Sequence, residues 1–234
     1  MNGIGCFLEG LKLIRQPGLR RYVVIPLVIN VLVLSAAILY GVNQYEAWMA
    51  YVDDSLPEFL SFLGGVVTVL GMVIGLAVLL YTFTIVANII AAPFNAILSV
   101  KVEEKITGQI LTSNTSLHLI LIRSVTREIS KLLYYLPRLI GLVVISLIPG
   151  LNALAPFLWI AFGAWMMAVQ YTDYAADNNE ISFSELRSRL NSNKFQALSF
   201  GMPAYFLLAI PLINLVLIPA GVAGGTKFWI EHLR

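Results

Sequence analysis

Two apolar stretches in this chain are broken too early to be ordinary membrane spans. One covers residues 139–170 and the other residues 198–230. The first contains Ile148-Pro149-Gly150-Leu151-Asn152 and then Pro156; the second contains Ile210-Pro211-Leu212-Ile213-Asn214 and then Pro219. Each reads Ile-Pro, an Asn three residues past that proline, a second proline, and a Trp farther on (Trp165, Trp229). A proline inside a helix removes a backbone hydrogen bond. In hydrocarbon this is tolerated only where protein or a water-filled cavity covers the freed groups. Each arm is about ten residues, roughly 15–17 Å of helix, which reaches about mid-bilayer. The pattern predicts two re-entrant, hemi-penetrating hairpins. If each stretch crossed once instead, residues 171–194 would lie on the opposite side.

Composition agrees with a lipid setting. Hydrophobic residues are 59% of the chain, charged residues 12%, and mean hydropathy is +0.83. A soluble domain carries about 25% charged residues. The expected fold class is therefore an all-α integral membrane protein, a single membrane domain over residues 1–234. Two long transmembrane helices are expected at residues 22–45 and 63–100, with polar cytoplasmic helical segments at 101–138 and 171–197. The second span exceeds what a bilayer needs and should tilt or protrude, and its Gly64, Gly65, Gly71 and Gly75 suit close helix packing. Residues 2–16 repeat apolar side chains at helical spacing (Ile4, Phe7, Leu8, Leu11, Ile14) and predict a short amphipathic helix lying in the interface. No basic segment precedes the first apolar run, so no cleavable signal is expected.

A net charge of +2 is too small to suggest nucleic acid. Cys6 is the single cysteine, which excludes an intrachain disulfide. Basic residues are distributed unevenly. Lys12, Arg15, Arg20 and Arg21 precede the first span, and Lys101, Lys105, Arg123, Arg127, Lys131 and Arg138 follow the second, while the intervening loop has none. The positive-inside rule places both flanks in the cytoplasm.

Three groups of residues are candidates for chemistry. Gly18-Leu19-Arg20-Arg21 precedes the first span; two guanidinium groups and free backbone N–H groups at a helix start can converge on an anion. The same arginines also serve simply as topology anchors. Arg123, Arg127 and Lys131 recur at i, i+4 and i+8. They could line an anion route or touch lipid phosphates, or form a pairing network with Glu103, Glu104 and Glu128, and the two roles are compatible. Asn152 and Asn214 sit at the hairpin tips, where half-helix ends favour anions and where Asn also merely suits a turn. No nucleophile–base pair, metal-ligand spacing or phosphate-binding loop is evident, so no enzyme activity, cofactor, metal or ATP-driven step is expected.

Several stretches resemble the CysZ family of bacterial sulfate permeases. They are Gly18 to Leu27, Ala87-Asn88-Ile89-Ile90-Ala91-Ala92-Pro93-Phe94-Asn95, Tyr135-Leu136-Pro137-Arg138, Gln170-Tyr171-Thr172-Asp173-Tyr174 with Asp177-Asn178, Phe200-Gly201, and Ile218 to Thr226. The resemblance runs in order through nearly the whole chain. It implies a multi-pass protein of the bacterial inner membrane that admits sulfate, or sulfite and similar oxyanions, for cysteine biosynthesis. It implies a channel-like route independent of ATP, a homo-oligomer in contact with membrane lipid, and no nucleic acid partner. It also implies a sulfate site at Gly18, Leu19, Arg20 and Arg21, and it matches the charged stretch of Arg123, Arg127, Glu128 and Lys131. Two rival expectations are a proton-coupled symporter and a membrane scaffold that transports nothing. The chain departs from the family pattern at Ala175, where Pro is usual, and at Asn179, where His is usual.

Overall fold

A computed structural model describes residues 1–56, 62–110, 117–208 and 214–234. Every regular element among them is helical, and the protein is an all-α integral membrane protein. The helices are α1 (Gly3–Leu13), α2 (Arg21–Asn43), α3 (Tyr45–Ser55), α4 (Gly64–Thr107), α5 (Leu117–Leu147), α6 (Ala155–Asn178), α7 (Phe183–Ser192), α8 (Lys194–Leu208) and α9 (Asn214–Phe228). A short 3₁₀ turn at Asn152–Leu154 leads into α6, and a π-helical turn at Trp229–Leu233 closes the chain. Stretches long and apolar enough to cross a membrane are Arg21–Val52, Gly64–Phe83, Thr126–Leu147 and Asn152–Asn178.

The chain forms two compact units, Val24–Phe94 and Met1–Val23 with Asn95–Arg234. The Val24–Phe94 unit is apolar and outwardly exposed along most of its length, as a lipid-facing element must be. Its few buried residues include Val52, Thr68 and Asn30.

The other unit holds the core. Cys6, Phe7, Leu13, Leu98, Val102, Ala168, Val169, Phe200, Val222, Phe228 and Trp229 are buried together. The expected interfacial helix is α1, and its placement is a finding of the structure. Gly3, Cys6, Phe7, Gly10 and Leu13 are buried, with α1 packed on α8 and α9. Gly10 makes this approach possible, because a Cβ there would strike the Ala220 carbonyl and the Gly224 backbone. Small residues at such crossings let backbones meet where lipid supplies no hydrophobic drive. Ile4 and Leu8 stay exposed on the opposite face.

Helix boundaries also differ from the sequence expectation. α4 runs unbroken to Thr107, so residues 101–107 extend the long helix rather than begin a new segment. α5 joins the charged stretch and the first arm of the 139–170 segment into one helix of 31 residues. Pro137 lies inside it, so proline there does not end the helix. The break comes at Ile148–Leu151, where Gly150 adopts a positive φ of 87°. The arms are therefore longer than ten residues, and they are unequal in uncharged length: of the 34 residues from Leu139 to Thr172, none of them charged, 9 belong to the end of α5 and 21 to the arm that starts at Asn152. The tip is apolar and exposed, with Leu147 at 76% and Phe157 at 72%. In the second stretch the described helices α8 and α9 hold 15 residues each, on either side of residues 209–213. Its turn, Ile210-Pro211-Leu212-Ile213, lies outside the described residues.

Candidate anion site and charge network

α1 ends at Leu13, and residues 14–20 form a tight loop before α2. Gly18 turns it, with φ 88°, a left-handed conformation that costs other L-residues about 1–2 kcal/mol. The carbonyl of Gln16 accepts from the N–H groups of Leu19 (3.1 Å) and Arg20 (3.2 Å). The Leu19 side chain is 3% exposed and belongs to the core, so it pins the loop. The geometry thus assigns Leu19 an anchoring role; its N–H, expected to face an anion, is already donated.

Arg20 and Arg21 project outward and pair with no carboxylate among the described residues. Arg21 donates to the Tyr22 hydroxyl at 2.9 Å and its guanidinium lies 4.8 Å from that ring's centroid. Lys105, at the end of α4, reaches the Pro17 carbonyl at 3.4 Å and brings a third cation to the loop. Sequence spacing gave no signal for Lys105, which is 88 residues from Pro17. A pinned loop presenting two guanidinium groups without carboxylate partners can receive a multivalent anion.

The charged residues farther along form two separate clusters. In the first, Arg127 is 9% exposed and Lys131 3% exposed. Arg127 donates from Nε (3.1 Å) and Nη2 (2.5 Å) to Asp173 Oδ1 and from Nη1 to the Ile181 carbonyl at 2.7 Å, with Asp177 at 3.3 Å. Lys131 donates to Glu128 Oε1 at 2.5 Å and Gln170 Oε1 at 3.1 Å, with Asp173 Oδ2 at 3.3 Å. Both residue pairs, Arg127 with Lys131 on α5 and Asp173 with Asp177 on α6, use the i, i+4 spacing that stacks side chains on one helix face. Asp173 is the hub; in the sequence it opens a polar stretch, and its spacing carries no sign of this role.

Glu103 and Glu104 do not join this cluster. Glu104 pairs with Lys101 at 2.6 Å. Glu103 is fully buried and accepts from Asn179 Nδ2 at 2.8 and 3.0 Å, with Arg234 at 3.8 Å. Burial raises its pKa above the ordinary carboxylate value, against the opposing pull of Asn179 and Arg234. Asn179, one of the two departures from the family pattern, is thus the direct partner of the buried carboxyl. The Arg123 side chain and the Asn214 side chain lie outside the described residues. Asn152 is exposed; its backbone N–H donates to the Ile148 carbonyl at 3.0 Å, and its side-chain amide makes no hydrogen bond among the described residues.

These features define a class: an all-α membrane protein with a buried, compensated charge cluster and a cationic loop whose arginines have no carboxylate partner among the described residues. The family described as "Sulfate transporter CysZ/Etoposide-induced protein 2.4" matches residues 6–219. The chain is 46% identical to the sulfate transporter CysZ of Pseudomonas aeruginosa (strain PAO1) over 227 residues, covering 96% of this chain and 92% of the relative. It is 43% identical to that of Pseudomonas fluorescens (strain Pf0-1) over 235 residues, covering 99% and 94%. It is 39% identical to that of Vibrio cholerae serotype O1 (strain O395) over 236 residues, covering 100% and 94%. The chain belongs to this family.

Proposed function

We propose that this protein carries sulfate across the bacterial inner membrane by a channel-like, ATP-independent route that feeds cysteine biosynthesis. The observation carrying this reading is the pinned loop at Gly18–Arg21, whose two arginines have no carboxylate partner among the described residues. The relatives' names supply the substrate. Sulfate and related oxyanions need several donors to replace their hydration, and guanidinium forks provide them in pairs. Gly18 and Arg21 offer further backbone N–H groups at the start of α2, and Leu19 holds the loop in place.

The 139–170 and 198–230 stretches act as hemi-penetrating hairpins in this reading. An exposed apolar tip belongs in hydrocarbon, and the uncharged part of α5, from Leu139 to Leu147, is too short to cross a bilayer core without carrying the charged residues before it into the lipid. The exposed stripe Ile129, Leu132, Leu136 and Ile140 on α5 suits lipid or a second copy of the chain. Arg127, Lys131 and Asp173 form a compensated charge cluster at the polar end of the first hairpin.

Glu103 favours a second reading, a proton-coupled symporter, because a fully buried carboxyl with a raised pKa can bind and release a proton. Sulfate uptake into liposomes holding only the purified protein, measured with and without a pH gradient, tests both. Uptake without a gradient supports the channel-like route. Uptake only with a gradient supports coupling. No uptake under either condition leaves a scaffold.

A further inference from the structure

The cavity between α5 and the start of α7 has about 560 Å³ of space and is lined by Ser130, Tyr134, Arg138, Ser182, Ser184 and Arg187, with two apolar neighbours. No carboxylate lines it among the described residues. Arg187 makes no hydrogen bond and no ion pair with any described residue, although it is half-buried and its Nε is shut off from solvent. A guanidinium has five N–H donors and normally spends several of them. This one is held in place instead by aromatic faces, 4.8 Å from the Tyr134 ring centroid and 5.1 Å from that of Phe183. Arg138 lies 3.7 Å from the same Tyr134 centroid and donates to the Tyr134 carbonyl, leaving most of its fork unspent. The ring they share is fixed by Trp165, whose Nε1–H donates to the Tyr134 hydroxyl at 2.9 Å.

Two like charges against one ring repel each other, and the nearby carboxylates are committed elsewhere. Glu185 pairs with Arg189, Glu128 with Lys131, and Asp173 with Arg127 and Lys131. The hydroxyls of Ser182 and Ser184, hydrogen-bonded to each other at 3.1 Å at the start of the ten-residue α7, leave one O–H donor beside the positive end of that helix. Among the described residues, no carboxylate balances the charge of the cavity.

We propose that this cavity is an oxyanion site, separate from Gly18–Arg21, that takes a tetrahedral phosphate or sulfate group. The group comes either from a free anion or from an anionic lipid headgroup. Its depth fits the second source as well as the first. Arg138 lies nine residues before the end of α5, about 14 Å along the helix, close to the half-thickness of the hydrocarbon core. A hairpin whose tip sits near mid-bilayer therefore sets Arg138 at the headgroup level.

The test uses the purified full chain. Sodium sulfate and inorganic phosphate are titrated by calorimetry, and retention of phosphatidylglycerol against phosphatidylcholine is read by native mass spectrometry. R138Q/R187Q is compared with wild type and with R138K/R187K, all in an R20A/R21A background, so that the Gly18 loop contributes nothing. The expected result is a loss of tenfold or more in affinity for one probe, partly restored by the lysine pair. Loss confined to sulfate and phosphate identifies a free-anion site; loss confined to phosphatidylglycerol identifies a lipid site. Unchanged binding of all probes in folded R138Q/R187Q overturns the proposal. Should that variant fail to fold, R187Q alone, which breaks no internal hydrogen bond, takes its place, and unchanged binding there overturns it equally.

Discussion

Replacing Arg127 with Met is the perturbation whose size the structure defines best. The methionine keeps most of the apolar stem and removes the guanidinium. Lost with it are both donations to Asp173, the donation to the Ile181 carbonyl and the contact with Asp177. Asp173 is only 5% exposed, so its carboxylate cannot turn to water. Breaking a buried pair on one side costs about 3–5 kcal/mol. Lys131 remains 3.3 Å from Asp173 Oδ2 and offsets part of this, so about 2–4 kcal/mol is expected. Adding Asp173→Asn removes the stranded charge, and the double variant should recover at least 1 kcal/mol relative to the sum of the two single changes. Equilibrium unfolding in mixed micelles measures all four proteins of the cycle. An Arg127→Met protein within about 0.5 kcal/mol of wild type, the range of ordinary surface changes, would refute the claim that Arg127 is an internal strut.

Other outcomes follow from single groups. Gly18→Ala forces a left-handed conformation on an L-residue at about 1–2 kcal/mol even though its Cβ meets no neighbour, so it should lower the melting midpoint by a few degrees and weaken sulfate binding severalfold. Glu103 binds its proton more tightly folded than unfolded, so its contribution to stability is greatest at low pH and falls as pH rises above the ordinary carboxylate range. Glu103→Gln should flatten that slope in melting curves taken from pH 5 to pH 8, and an unchanged slope would assign it elsewhere. Cys6 is fully buried, and burial with the Glu231 carboxylate beside it pushes its thiol up to about 12. Native protein should therefore resist maleimide at pH 8, and cysteines placed at exposed Ser184 and Ser192 then report topology cleanly. Both should label from the same side as the N-terminus; labelling from opposite sides contradicts the hairpins.

The helical, membrane-embedded class was legible because hydropathy and the breaks at Ile148-Pro149-Gly150 are local properties. The burial of α1 was not. Its apolar stripe reads equally as an interfacial helix, and only the backbone meeting of Gly10 with Gly224 decides otherwise. The cations of the charge cluster were visible from their spacing on α5, and so was one partner, Glu128, but the aspartates of α6 were not. Asp173 and Asp177 sit in a stretch that looks soluble until α6 packs against α5. The loop at Gly18 was legible as a motif, whereas Lys105 reaches it only through tertiary packing.

The central claim is that sulfate is recognised by Arg20 and Arg21 and passes through this protein alone. Radiolabelled sulfate uptake into liposomes containing wild-type protein, R20A/R21A or R20K/R21K tests it most directly, with orientation verified for each. Two charge-assisted contacts of roughly 1.5–3 kcal/mol each set a loss of about a hundredfold or more in affinity for the alanine pair. Wild-type liposomes should take up sulfate without ATP, the alanine pair should show little uptake at low sulfate, and the lysine pair should fall between. Correctly inserted R20A/R21A protein that takes up sulfate like wild type would show that these arginines are anchors and that sulfate is recognised elsewhere.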